Sequence, residues 1–139
     1  MALKPGQVLI GPDTTISYEA GETLSPGDVV GIDGGQLRRA NSGDTSPNPV
    51  GVVGHGGGAT GGEDYEAGEN VPLITRADAV LTNVATGVAA GEELAASATD
   101  GELAAGDGGG FEAITAEGDV AGLSSDETVP AGFAGVKLP

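Results

Sequence analysis

Tyr-Glu-Ala-Gly-Glu stands at Tyr18–Glu22 and again at Tyr65–Glu69, and a looser copy, Val-Ala-Ala-Gly-Glu, runs from Val88 to Glu92. Each copy is followed, two residues later, by an apolar residue. Because glycine adopts a positive φ without a Cβ clash, Ala-Gly-Glu predicts a turn in each copy. The copies therefore predict a repeated unit of strand, turn and strand, which is typical of a scaffold.

Short apolar runs alternate with Gly, Pro, Asp and Ser along the chain, which predicts an all-β fold. We expect a small antiparallel β-barrel or sandwich of short strands with Gly-rich loops and little or no helix. The expected strands are Gln7–Ile10, Ile16–Tyr18, Val29–Ile32, Gln36–Arg39, Val50–Val53, Val71–Ile74, Ala79–Leu81, Glu102–Ala104, Glu112–Ile114 and Gly132–Leu138.

The turns and one ambiguous segment carry their own signals. Asp33-Gly34-Gly35 and Asp100-Gly101 predict tight hairpins, and Ser25-Pro26-Gly27-Asp28 predicts a type II turn. Glu92–Ser97 suits a helix by composition but is short for one. Its likeness to the other Ala-Gly-Glu copies favours a strand.

The composition predicts a thin core. At 139 residues the chain is expected to form one domain, 1–139, with a short N-terminal arm at about residues 1–6 and a Gly-rich loop at about residues 54–64. It has two Phe, two Tyr and no Trp, so few side chains provide large burial. Oligomerisation or docking on a partner is expected to supply the missing burial.

The charge is strongly negative, with 21 acidic residues, five basic residues and a net charge of −16. Without a basic footprint, nucleic-acid binding is excluded. At about 1 M salt the Debye length falls to about 3 Å, which removes much of the self-repulsion. An acidic, Lys-poor composition resembles that of proteins of extreme halophiles. An acidic mesophilic protein is the alternative, whereas regularly placed Val, Leu and Ile argue against disorder.

No Cys is present, so disulfides and thiolate metal sites are excluded. The N-terminus has no signal-peptide pattern, and no apolar run approaches the roughly 18–20 residues that span a bilayer. We expect a product made in the cytoplasm, with no membrane partner.

The candidate sites for chemistry are weak. Gly56–Gly61 matches Gly-x-Gly-x-x-Gly, but the following Gly62-Glu63-Asp64 would repel phosphate, which favours a chance match. His55, the sole histidine, lies between glycines and is interpreted as an exposed loop residue. The carboxylate pairs are interpreted as solvated surface with loosely held counterions; they are Glu63-Asp64, Glu92-Glu93 and Asp126-Glu127. We predict no catalytic residue, no metal site and no cofactor.

Two further features concern contacts. Arg38 and Arg39 adjoin at the end of an expected strand, where they could pair with a neighbouring subunit. Local pairing with the chain's own carboxylates is the alternative. Leu3, Lys4 and Pro5 lie in the expected N-terminal arm, whose alternative is an ordinary frayed terminus.

A series of turn-and-strand motifs resembles a family of tailed-virus capsid decoration (cement) proteins. The first is Ala20–Val30, of the kind A-G-x-x-L-x-x-G-D-V-V. The motifs that follow in order are Gly51–Gly54, Ala67–Leu73, Ala90–Leu94 with Asp100–Leu103, and Ala131–Leu138. The similarity covers most of the chain, and the succession of short motifs carries it.

The resemblance implies a β-barrel-like protein on the outer capsid surface of a virion, bridging subunits of the major capsid protein as a homotrimer. No catalytic residue comes with this family. Together with the acidic composition, the resemblance implies a virus of a halophilic archaeon. The expected contact residues for the capsid or for the oligomer are Leu3, Lys4, Pro5, Arg38 and Arg39.

A β-rich carrier or carbohydrate-binding module is the alternative, because Ala20–Val30 also resembles the hairpin turn of biotinyl and lipoyl carriers and of small β-clip domains. A carrier needs a modified Lys at a hairpin tip, whereas Lys4 and Lys137 lie at the two ends of the chain.

Overall fold

The computed structural model describes residues 3–56, 64–119 and 129–139, and these residues form strands and turns without a helix. The strands are β1 (Val8–Ile10), β2 (Thr14–Glu19), β3 (Val29–Asp33), β4 (Gln36–Arg39), β5 (Gly51–Val53), β6 (Asn70–Arg76), β7 (Ala79–Asn83), β8 (Glu93–Ala96), β9 (Leu103–Ala105), β10 (Phe111–Ala113) and β11 (Phe133–Lys137). The all-β prediction is confirmed, each expected strand has a counterpart, and β8 shows that Glu92–Ser97 contributes a strand.

The strands form two antiparallel sheets in a sandwich-like arrangement. One sheet has the order β1-β7-β11-β10-β8-β9, and the other has the order β2-β6-β5-β3-β4. An inter-sheet core joins them: Val29, Val52 and Ile74 of the five-stranded sheet pack in one cluster with residues such as Val80 and Val136 of the six-stranded sheet. Alternation of side chains along each strand brings these residues to the shared face.

The opposite face of the five-stranded sheet has a core of its own, here called the concave core. It contains Ala20, Leu24, Val30, Leu37, Val53, Tyr65, Val71 and Leu73. The sheet curls until the end of β2 meets β4 through a single bridge between Ala20 and Leu37. One bridge does not make a closed barrel, so the sandwich alternative of the prediction describes the fold.

Four turns share one arrangement, in which the side chain of the fourth residue accepts a hydrogen bond from the backbone N–H of the first residue. In Glu66–Glu69 the N–H of Glu69 donates to the Glu66 carbonyl (3.1 Å), and the Glu69 carboxylate accepts from the Glu66 N–H (2.7 Å). The same two bonds occur in Lys4–Gln7, Ser25–Asp28 and Ala89–Glu92. The third residue is always glycine, with φ between 77° and 91°. These features define type II turns.

The expected hairpins are present too. Asp33 pairs with Gln36 across Gly34 and Gly35, whose φ values are 61° and 79°. Positive φ at both central residues is the type I′ geometry that the Asp-Gly-Gly sequence favours. Gly101, with φ of 77°, turns the chain between β8 and β9.

Gly21 corrects the prediction of a turn in every pentapeptide copy. Its φ is not positive, and the chain bends at residues 21 and 22 without the hydrogen-bonded turn of the other copies. Its N–H donates to the Leu37 carbonyl (2.8 Å). A Cβ at this position would lie 3.0 Å from the Gln36 Cβ and 3.1 Å from the Leu37 oxygen. Glycine is used here for close approach to β4 rather than for a positive φ.

Candidate functional site

The described part of the expected N-terminal arm, residues 3–6, lies against the chain's own fold. Leu3 is 8% exposed and packs with Leu81 and Phe133. The Gly6 N–H donates to the Leu81 carbonyl (2.8 Å). Lys4 is exposed and Pro5 is half-buried in the first type II turn. Leu3 therefore belongs to the internal core, and Lys4 is the member of this group that faces solvent.

Arg38 and Arg39 differ in their contacts. Arg39 pairs with Glu22 (Nη2 to Oε1, 3.5 Å), and its backbone N–H donates to Glu22 Oε2 (2.9 Å). Local pairing, the alternative stated for these cations, therefore describes Arg39. Arg38 is half-buried opposite Gly31. In the part of the chain that the structure describes, it has no ion-pair partner.

Asp28 is a buried carboxyl group beside the Arg39–Glu22 pair. It is 7% exposed, and its Oδ2 accepts from the Ser25 N–H (2.8 Å). Burial raises the pKa of Asp28 from 3.8 to about 6; the Ser25 N–H and the Arg39 guanidinium oppose this shift, whereas the Asp64 and Glu22 carboxylates add to it. A Cβ at Gly101 would lie 3.1 Å from Asp28 Oδ1. Asp28 thus lies where the β8–β9 hairpin packs on the five-stranded sheet.

A polar groove of about 620 Å³ opens between the loop 41–49 and the six-stranded sheet. Asn41, Ser42, Asp44, Asn48 and Asp107 contribute polar side chains to its lining. The loop is anchored by Ser42, whose N–H donates to the Ser97 carbonyl (2.7 Å). The aromatic residue in the lining, Phe111, is 2% exposed, so it offers little ring surface for stacking.

The described residues form four edge strands, of which three are short or covered. β1 and β9 have three residues each; a register shift interrupts β1, and the Leu103 carbonyl of β9 accepts from the Ala85 N–H. β4 has four residues, and Gly21 and Glu22 bond to its Leu37 carbonyl and Arg39 N–H. Short length, irregularity and coverage are the usual protections of an edge strand.

β2 is the exception. It has six residues, of which all but Tyr18 are exposed. Its sequence contains no Lys, Arg or Pro, and Ile16 at its middle is 43% exposed. A long, exposed edge strand without Lys, Arg or Pro, and without any charge from Thr14 to Tyr18, is a template for pairing with another chain.

Hydrogen bonding identifies which groups of β2 are free. Ala20 faces β6, because its N–H donates to the Glu69 carbonyl (2.9 Å) and its carbonyl accepts from the Gly68 N–H (2.8 Å). Backbone groups alternate between the two edges of a strand. The N–H and C=O groups of Tyr18 and Ile16 therefore also face β6, whereas those of Ser17 and Thr15 point away from the sheet.

The remaining candidate residues from the sequence are His55, the Gly-x-Gly-x-x-Gly match and the carboxylate pairs. His55 is exposed, as expected, and its backbone N–H donates to the Gly6 carbonyl (3.1 Å). The Gly-x-Gly-x-x-Gly match lies outside the described residues except for Gly56. Glu63, Asp126 and Glu127 are outside them too. Where the chain is described, no group of three or more His, Asp or Glu side chains could hold a metal ion.

Comparison with known proteins adds no family. No protein-family model matches the chain. No curated protein matches it either. None of the described segments forms a helix that is long and apolar enough to cross a bilayer.

Two features were not predicted from the sequence, the burial of Asp28 and the open edge of β2, and a third was predicted only in general terms. The burial of Asp28 had a signal, because the type II turn Ser25–Asp28 directly precedes the apolar Val29-Val30. The Glu22–Arg39 contact agrees with the local pairing stated for the two arginines, but the sequence did not identify Glu22 as the partner. The open edge of β2 had no signal beyond a run of strand-forming residues, because strand order depends on contacts between distant segments.

Proposed function

We propose that this chain is a structural virion protein that binds the outer surface of an icosahedral capsid. It stabilises the capsid by bridging adjacent subunits of the major capsid protein, and it does so as a homotrimer. The observation that carries the proposal is the succession of motifs that resembles the pattern of capsid decoration proteins. These motifs coincide with successive elements of the fold. In order, the elements are the turn Ser25–Asp28 with β3, then β5, the turn Glu66–Glu69 with β6, the turn Ala89–Glu92 with β8, and β11.

The distribution of charge supports a virus of a halophilic host. Among the described carboxylates, Asp28 alone is buried, so the negative charge is spread over the surface. The buried aromatic residues of the described chain are Tyr65 and Phe111, and the rest of the core is aliphatic. Molar salt screens such a surface charge and strengthens apolar burial when the salt is excluded from the protein surface.

The proposal includes no catalytic role and no cofactor. Cement needs many distributed contacts rather than a reactive group. An exposed strand edge provides such contacts through backbone groups, and β2 supplies one. Of the expected contact residues, Lys4 and Arg38 keep their side chains away from ion pairs within the described chain, so they remain candidates for the capsid or for a neighbouring copy.

Co-sedimentation tests the proposal. Capsid shells are prepared from the major capsid protein of the same virus, without this chain. They are mixed with the purified protein in molar salt and pelleted. We expect saturable binding and shells that withstand a higher temperature. A protein that stays in the supernatant at every ratio contradicts the proposal.

The oligomeric state gives a second measurement. Light scattering across a salt series is expected to show a trimer in molar salt and unfolding after desalting. A folded monomer whose stability is indifferent to salt counts against both the trimer and the halophilic host.

A carbohydrate-binding module is the second candidate, favoured by the groove beside the loop 41–49. Its asparagine, serine and aspartate side chains provide the donors and acceptors that hydroxyl groups of a sugar use. Titration of the wild type with soluble glycans separates this candidate from cement. The same titration of the Asp107→Ala and Asn48→Ala variants shows whether the affinity for the glycan depends on the groove. Saturable binding of a glycan by a chain that does not pellet with shells supports it.

A further inference from the structure

From the open edge of β2 we infer that this strand is the docking site for an extended segment of the major capsid protein, which adds to the five-stranded sheet as a new strand. This inference rests on the proposed function and names the surface through which it acts. The outward N–H and C=O groups of Thr15 and Ser17 supply the hydrogen bonds, which is the mode of strand addition.

The concave side of the sheet provides the apolar part of the contact. Ile16 lies on the same side of β2 as Tyr18, which packs against the concave core. Ile32 lies on the same side of β3 as Val30, a member of that core. Ile16 and Ile32 are each 43% exposed. In contrast, Tyr18 on the same side of β2 is half-buried, and Val30 on the same side of β3 is buried. The described residues form no second bridge between β2 and β4, so the sheet is open at this end.

The charges around this opening indicate a basic partner segment. Asp13 precedes β2, Glu19 ends it, and Asp33 lies at the tip of the β3–β4 hairpin. Arg76 lies opposite Thr14, and Arg38 lies on β4 two residues from Gln36, whose side chain donates to the Glu19 carboxylate, so the carboxylates outnumber the cations here by three to two. The strand itself is uncharged between Thr14 and Tyr18. A segment with an apolar residue opposite Ile16 and Lys or Arg toward its ends therefore matches the edge.

The same charges argue against a second copy of this chain as the occupant. Antiparallel pairing of two β2 strands centred on Ile16 places Asp13 of one copy opposite Glu19 of the other, at both ends. Parallel pairing in register places each carboxylate opposite its own equivalent. Like charges directly opposite each other destabilise a strand pair, and each copy carries a net charge of −16.

Ser17→Pro tests the edge, because proline removes the outward N–H and places its ring on the free side of the strand. Proline is tolerated on an edge strand where its N–H would face solvent. Ser17→Ala is the matched control, since it removes the hydroxyl and keeps the N–H. With shells prepared without this chain, in molar salt, we expect Ser17→Pro to bind at least about tenfold more weakly than the wild type. Ser17→Ala is expected to bind within about twofold of the wild type.

Hydrogen exchange followed by mass spectrometry gives an independent measurement. On binding to shells, peptides that cover residues 14–19 are expected to gain protection, whereas peptides that cover β7 serve as an internal reference. Circular dichroism checks that Ser17→Pro is folded. If it is not, Ile16→Lys replaces it, because a charge on the concave side blocks the same contact while every backbone group stays in place.

Three outcomes overturn the inference, and they are distinguishable. Equal binding of Ser17→Pro and the wild type, or unchanged exchange of residues 14–19 on the shell, removes β2 from the contact and leaves the proposed function intact. Failure of the wild type itself to bind shells removes the proposed function. Protection of residues 14–19 in a free dimer or trimer assigns the edge to a second copy.

Discussion

Tyr18–Glu22 and Tyr65–Glu69 contain the same five residues and lie side by side, yet their backbones differ. In the second copy Gly68 has a φ of 91° within a hydrogen-bonded turn; in the first copy the φ of Gly21 is not positive, and the chain bends there without such a turn. The copies are joined to each other, because Ala20 bonds to the Gly68 N–H and to the Glu69 carbonyl. Leu24 and Tyr65 then form a bridge with bonds of 2.9 and 2.8 Å.

The difference teaches that this pentapeptide allows a turn without requiring one. In the second copy, the Glu69 carboxylate accepts from the Glu66 N–H and closes the turn on itself. In the first copy, the equivalent Glu22 carboxylate instead accepts from the Arg39 N–H of β4. The glutamate side chain thus bonds to a neighbouring strand where that strand presents a backbone N–H without another acceptor. Tertiary contacts therefore decide between two backbone conformations that the local sequence supports equally.

The largest expected effect separates the two tyrosines. Tyr65 is 3% exposed in the concave core, and its hydroxyl donates to the Gly54 carbonyl (3.3 Å), whereas Tyr18 is half-buried. We expect Tyr65→Ala to lower the free energy of unfolding by about 3–5 kcal/mol, as for other buried aromatic residues, and Tyr18→Ala by about half of that. Denaturant titration in molar salt measures both. Equal losses would show that the two copies contribute equally to the core.

Prediction from the sequence succeeded where short-range patterns decide. Asp33-Gly34-Gly35 and Ser25–Asp28 specify their own turns, and alternating apolar residues mark the strands that they join. The prediction failed at Gly21, because the pentapeptide alone does not show that β4 lies next to it. The open edge of β2 and the internal position of Leu3 also depend on which segments meet in space. The contact surface was therefore less predictable than the fold.

The next prediction compares two of the turn-closing carboxylates, buried Asp28 and half-buried Glu69. Because the folded-state pKa of Asp28, about 6, exceeds its ordinary value of 3.8, the folded state binds this proton more tightly than the unfolded state. The stabilisation from protonated Asp28 is complete below about pH 4 and is lost as the pH rises through about 6. At 1.36 kcal/mol per pKa unit, ionised Asp28 costs up to about 3 kcal/mol at pH 8.

Asp28→Asn tests this cost directly, because the amide oxygen can still accept from the Ser25 N–H. We expect the variant to be more stable than the wild type at pH 8, and the difference to shrink to near zero at pH 4. Glu69→Gln is the matched control, because it makes the same carboxylate-to-amide change in a turn whose closing side chain is partly exposed. Thermal unfolding of the three proteins at both pH values measures the effect. A variant that is less stable than the wild type at pH 8 would show that the Arg39–Asp28 attraction outweighs burial.

The smallest expected effects distinguish the two glycines by mechanism. Gly68 has open space around a Cβ but a positive φ, so alanine is disfavoured there by its backbone conformation, at about 1–2 kcal/mol. Gly21 has an ordinary φ, but a Cβ would crowd Gln36 and the Leu37 oxygen, and such overpacking costs about 1–3 kcal/mol.

Asparagine separates the two causes, since it tolerates positive φ better than alanine but is larger. At Gly68 we expect asparagine to recover part of the stability that alanine loses, because Asn is accepted at the third position of a type II turn. At Gly21 we expect asparagine to be worse than alanine, because the added atoms press further against β4. The rank order of the four variants in denaturant titration is the measurement. If asparagine and alanine rank alike at both sites, the two copies do not use glycine for different reasons, and the different backbone at Gly21 needs another cause.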